Sequence, residues 1–213
     1  MKIDKKTLIL TSLVCLIPLI AGALVYSRLP ETVATHFGFD GTPNGWSSRA
    51  VAAFGLPGFM LIMNFLLIFG LNADPKRQNM NSALKTIAIW TVPVLSLVCS
   101  GITLAGALGY PMKIQIILPV LMGVLFILIG NYLPKTKQSY TMGIRLPWTL
   151  NSEENWNRTH RLAGYLWVIG GIAFIVLSFI GWSLAAFLLT IGVMTLVPIV
   201  YSYLLYRKEE KML

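Results

Sequence analysis

Residues 162–206 read LAGYLWVIGGIAFIVLSFIGWSLAAFLLTIGVMTLVPIVYSYLLY, 45 positions without an Asp, Glu, Lys, Arg or His. About 20 helical residues cross the roughly 30 Å hydrocarbon core of a bilayer. As a single helix this run would reach about 68 Å at roughly 1.5 Å per residue, twice that thickness. It must fold back, and Gly181-Trp182-Ser183 offers the break. Four further uncharged runs precede it, at 7–27, 50–73, 86–112 and 114–134. The chain therefore reads as an all-α integral membrane protein, a six-span helical bundle with both termini on one side. Composition agrees, since 56% of the 213 residues are hydrophobic and 12% are charged, against about 25% charged in an average soluble domain.

Charge decides which side. Arg28, Arg49 and Lys113 flank one face of the predicted bundle, and the other 14 of the 17 Lys and Arg flank the opposite face or the termini. Loops rich in Lys and Arg stay cytoplasmic, so both termini are expected there. The net charge of +9 is then a topology signal and does not imply direct nucleic-acid binding. Lys5, Lys6 and the apolar run ending at Ala21-Gly22-Ala23 mimic a signal peptide, but the run is longer than an ordinary h-region and is expected to remain as the first span. Cys15 and Cys99 fall inside spans and are expected to be buried free thiols. No Asp, Glu, Lys, Arg or His lies within a predicted span, which argues against ion-coupled transport or a proton relay. Asn64 and Asn131 are expected to bond between helices or to sit at a helix end. Gly101, Ala105 and Gly109 recur every four positions and suit close helix packing.

Two long loops are left to carry recognition. In the outer loop, 28–49, Asp40-Gly41 and Asn44-Gly45 are turn signals and the stretch from Thr32 to Phe39 alternates. A small extracellular hairpin is expected. His36, Phe37, Phe39, Asp40 and Trp46 are its candidate contacts for a hydrophobic peptide arriving from outside. His36 with Asp40 falls short of a metal site, and none is expected.

The inner loop, 135–161, contains GIRLPWTLNSEENWNRTHR from Gly143 to Arg161. Pro147 disfavours helix at Leu146. Asn151 with Glu154 three residues later resembles a capping box, so a helix is expected to start there and run into span 5. On that helix Glu154, Arg158 and Arg161 share a charged face. Trp156, His160, Ala163 and Trp167 share an aromatic one, as in a helix lying at a membrane interface. Trp148 and Trp156 then have two readings, as interfacial anchors against lipid or as parts of a binding site.

The stretch NYLPKTKQSYTMGIRLPWTLNSEENWNRTHRLAG, 131–164, resembles the signature of the SdpI family of bacterial membrane proteins. The matching residues are Asn131, Gly143, Ile144, Arg145, Pro147, Trp148, Thr149, Leu150, Trp156, Thr159, His160 and Arg161. Leu146 stands where that pattern has threonine. LPETVATHFGFDGTPNGW in the outer loop resembles a domain found upstream in many of these proteins. The family is known for immunity to a secreted peptide toxin. The resemblance therefore implies a plasma-membrane immunity protein without enzymatic activity or cofactor. Its implied partners are the peptide toxin, membrane lipid and a cytoplasmic transcriptional repressor. Gly143, Arg145, Pro147, Trp148, Thr149, Trp156, His160 and Arg161 become the candidate cytoplasmic motif. The expected organisation is an N-terminal membrane region, 1–113, and an SdpI-like region, 114–213, with three spans each. The alternatives are a transporter or flippase moving peptide or lipid, and a signalling protein that recruits a repressor. No GxSxG, HExxH or phosphate-loop motif is present to suggest an enzyme.

Overall fold

The computed structural model describes residues 3–38, 40–181 and 183–210. Six helices are long and apolar enough to span a membrane. They are α1 (Lys5–Val25), α2 (Leu56–Ala73), α3 (Ser82–Ala107), α4 (Ile114–Tyr132), α6 (Glu153–Ile180) and α7 (Leu184–Glu210), with a short α5 (Pro147–Asn151) before α6. The long uncharged run does fold back where expected. Helix α6 stops at Ile180, Gly181 takes φ +116°, and α7 begins at Leu184; Trp182 lies outside the described residues. Side chains such as Leu24, Phe69, Phe179 and Ile180 point outward with 69–77% exposure. Exposed apolar side chains of this kind are suited to lipid.

Two compact units are present among the described residues, one comprising 3–72 with Ala88–Ile117 and the other Ala73–Ile87 with 118–210. The first unit carries the hairpin, β1 (Thr32–Phe37) paired antiparallel with β2 (Pro43–Ser48) and bulged around His36. A π-helical turn, Val51–Gly55, leads from it into α2. Leu29, Ala53 and Leu104 form a buried layer with Ala21, Val25 and Ala107 around it. Deeper, fully buried Asn64 donates from Nδ2 to the hydroxyls of Thr11 at 3.1 Å and Ser12 at 3.2 Å. This is the interhelical bond expected of it, whereas Asn131 is exposed on the last turn of α4.

In the second unit α4 and α6 touch backbone to backbone. A Cβ on Gly123 would lie 2.6 Å from the carbonyl oxygen of Gly171, and one on Gly130 would lie 2.9 Å from that of Gly164. The glycines recur seven residues apart on each helix, so two successive crossings are closed by missing side chains. The stripe expected to pack this way does not: a Cβ on Gly101 or Gly109 would meet nothing within 4 Å. Spacing alone finds a small-residue face, but only a facing backbone makes it a contact. Gly171→Ala is expected to cost about 2 kcal/mol through overpacking, while Gly101→Ala should be neutral or stabilising. Denaturant titration of the two variants in mild detergent checks this.

Candidate functional site

The chain leaves α4 through a 3₁₀ turn at Leu133–Lys135, and residues 136–146 have no helix or strand to satisfy their backbone. Buried main-chain groups must find partners elsewhere. Side chains supply them. The indole N–H of Trp156 donates to the Thr136 carbonyl at 2.9 Å. Asn79 Nδ2 donates to the Gln138 carbonyl at 2.9 Å. Gln138 Nε2 in turn donates to the carbonyls of Thr149 and Leu150 at 3.0 and 3.1 Å, closing the end of α5.

The centre of this network is Asp74, which sequence reasoning missed. Its side chain is 2% exposed. Oδ2 accepts from the hydroxyls of Ser139 at 2.7 Å and Thr141 at 2.6 Å, and from the amides of Tyr140 at 3.0 Å and Thr141 at 2.9 Å. Oδ1 accepts the Lys76 amide at 2.7 Å. Burial pushes the carboxyl's pKa up, but the Thr141 and Ser139 hydroxyls and the Lys76 and Thr141 amides outweigh it, and the net shift is below the ordinary value. The available signal was that Asp74 is the lone acid between Asp40 and Glu153, set beside Lys76 and Arg77.

Gly143 follows with φ +106°, which favours glycine. Its open side faces the Trp156 and His160 rings, which stack with centroids 3.9 Å apart. The Ile144 amide donates to His160 Nε2 at 2.8 Å, so that nitrogen is unprotonated and the ring proton is on Nδ1, 2.8 Å from the Trp156 carbonyl. The imidazole is neutral and both nitrogens are engaged. Leu146 is extended and Pro147 opens α5, as the proline requires. Thr149 closes the turn, accepting the Leu146 amide at 2.9 Å and lying 2.8 Å from the Ile144 carbonyl as donor.

Two expectations need correction. The N-cap of α6 is Ser152, whose Oγ accepts the Asn155 amide at 3.1 Å, and Asn151 ends α5 instead. The aromatic face of α6 does not lie on a membrane surface. Trp156, His160 and Ala163 are fully buried in protein, because the irregular loop needs the indole and imidazole as partners. Trp148 is half-buried against the last helix, donating to Ser202 Oγ at 2.9 Å and packing on Tyr203 and Tyr206. Asn155 Nδ2 adds a bond to the Ser202 carbonyl at 2.9 Å. Of the candidate motif, Gly143, Trp148, Thr149, Trp156 and His160 build the framework. Arg145, Pro147 and Arg161 are exposed on it. Arg145 donates to the Tyr140 carbonyl at 2.6 Å. Arg158 pairs with Glu154 at 3.0 Å on the exposed face. With the inner polar groups mutually occupied, the exposed cations are what the arrangement can offer a ligand.

In the other unit the hairpin candidates separate. Phe37, with Val33 and Pro43, lines an open cavity of about 310 Å³ together with Thr103, Ala107 and Tyr110. His36 is exposed, its Nδ1 2.5 Å from Asn44 Oδ1. Asp40 caps the turn, and the Thr42 amide and hydroxyl hold its carboxyl below the ordinary range. Trp46 is 62% exposed. Phe39 lies outside the described residues. Asn44-Gly45, expected in a turn, sits in β2 with Gly45 opposite His36; the turn is made at Asp40-Gly41, where Gly41 has φ +79°.

Six apolar spans, a small hairpin and a polar framework at the head of α6 define a multi-pass membrane protein. Residues 135–202 match the SdpI/YfhL protein family, and residues 13–61 match a domain of unknown function, DUF1648. Over 175 residues, 82% of each chain, the sequence is 30% identical to the immunity protein SdpI of Bacillus subtilis strain 168. The chain belongs to the SdpI/YfhL protein family, as the resemblance at 131–164 implied. No solved structure matches it.

Proposed function

We propose that this protein protects the membrane of its cell against a secreted peptide toxin by binding the peptide stoichiometrically, without a chemical step. The observation that carries the reading is the 30% identity, over 82% of both chains, to a protein named for immunity. In this reading both termini are cytoplasmic, on the face that holds most of the Lys and Arg. The hairpin then faces outward, and the open cavity beside Phe37 supports peptide docking there. A hydrophobic peptide already concentrated in the membrane loses less freedom on docking, so modest contacts suffice. Arg161, exposed on the framework, favours a second role in holding a cytoplasmic regulator.

The test is survival of a toxin-sensitive bacterium expressing the protein. Wild type is expected to protect, and Phe37→Ala and Trp46→Ala are expected to lower survival at least roughly tenfold at matched membrane levels. Arg161→Ala is expected to keep protection while losing any regulator captured with the wild type. A wild-type protein that gives no survival advantage would overturn the immunity reading. Full protection by both hairpin variants would remove the hairpin from it.

A further inference from the structure

Lys76 and Arg145 come from segments 69 positions apart in sequence, yet both converge on Tyr140. The Lys76 ammonium lies 5.1 Å from the Tyr140 ring centroid. The Arg145 guanidinium donates to the carbonyl of the same residue at 2.6 Å. This convergence is built in, because the carboxylate of Asp74 takes the amides of both Lys76 and Tyr140. The two segments are tied together beneath the two side chains.

Among the described residues neither cation has a carboxylate partner. Among the described residues Arg145 bonds only the Tyr140 carbonyl, which leaves the rest of its planar donor fork open to them, a shape that suits a phosphate. Asp74 is close, but its oxygens are already occupied by five donors and it is 2% exposed. It lowers the local charge from +2 to +1 without closing the site. Tyr140 itself is 49% exposed.

Position selects the source of the anion. Asp74 directly follows Ala73, the last residue of a membrane-spanning helix, and Lys76 is three residues beyond it. Lipid phosphates lie at that depth, and an exposed tyrosine is typical of it. Basic side chains near the membrane surface attract anionic lipid. We propose that Lys76 and Arg145, gathered on Tyr140, form a binding site for the phosphate of an anionic lipid headgroup. The site is independent of toxin recognition.

The test is native mass spectrometry of the full-length protein, delipidated in detergent and offered phosphatidylglycerol or phosphatidylcholine. Wild type is expected to retain phosphatidylglycerol roughly tenfold better. The Lys76→Gln/Arg145→Gln double variant should bring that preference within about twofold, again on the scale of roughly one surface interaction per charge. Arg158→Gln/Lys208→Gln, which removes two exposed charges elsewhere, should keep the preference. Equal retention of both lipids by wild type, or an equal loss in the control variant, would overturn the site. Displacement of the lipid by inorganic phosphate alone at millimolar concentration would overturn its assignment to a headgroup.

Discussion

Asp74→Ala is expected to lower the unfolding free energy by about 4 kcal/mol. Hydrogen bonds to a charged group contribute about 1.5–3 kcal/mol each, and a buried donor left unpaired costs about 1–3 kcal/mol. Five donors lose their acceptor here, though hydration of the opened loop recovers part of the loss. Asn should be milder, about 2 kcal/mol, because one amide oxygen can still receive the four donors on Oδ2 while the amide nitrogen opposes only the Lys76 amide. Chemical denaturation in mild detergent should therefore rank wild type above Asn and Asn above Ala. Equal midpoints for all three would remove the carboxylate from its assigned role. The pH dependence follows in sign. The native carboxyl titrates below its unfolded value of about 3.9, so its stabilisation is fully present above that pH. It is lost as pH falls through the lower native value. Asp74→Ala should abolish that part of the acid sensitivity.

Gly143→Ala is expected to cost about 3 kcal/mol. The left-handed backbone contributes about 1–2 kcal/mol of strain for a residue with a Cβ. The rest is steric, since the new Cβ would lie 2.5 Å from His160 Nε2 and 2.8 Å from two ring carbons of Trp156. Relief requires displacing the Ile144 amide from His160, a bond contributing about 1 kcal/mol. Gly181→Ala is an internal control. Its φ is +116°, but among the described residues beyond its chain neighbours nothing lies within 4 Å of the added atom, so it reports chiefly backbone strain. Thermal unfolding should place Gly143→Ala clearly below Gly181→Ala. Coincident melting would mean that the rings do not sit against residue 143.

Much of the fold was legible because membrane insertion leaves a coarse mark. Charge-free runs locate the spans, and Gly181 locates the fold-back, without any long-range knowledge. The hairpin was legible from Asp40-Gly41, but the same logic misplaced Asn44-Gly45, because bulges around His36 drew that pair into the strand. The helical wheel grouped Trp156 with His160 correctly, but it could not say whether lipid or protein would cover them. That depended on residues 136–146, whose backbone needs partners that no local pattern reveals. Asp74 was illegible for a related reason: four of its five donors lie 65–67 positions away. Likewise the glycines at 123, 130, 164 and 171 matter only as facing pairs, and one helix read alone shows half of each.

The bonds from Trp148 and Asn155 to Ser202 have a consequence in time. A chain made from its N-terminus reaches residue 148 while its anchor is still 54 residues unmade, and residue 155 while it is 47 residues unmade. Until the final helix has been synthesised and inserted, the indole N–H of Trp148 and the amide of Asn155 lack these acceptors. The exposed motif is therefore finished only when the last helix arrives, and a nascent chain that stalls before Ser202 displays it half-built.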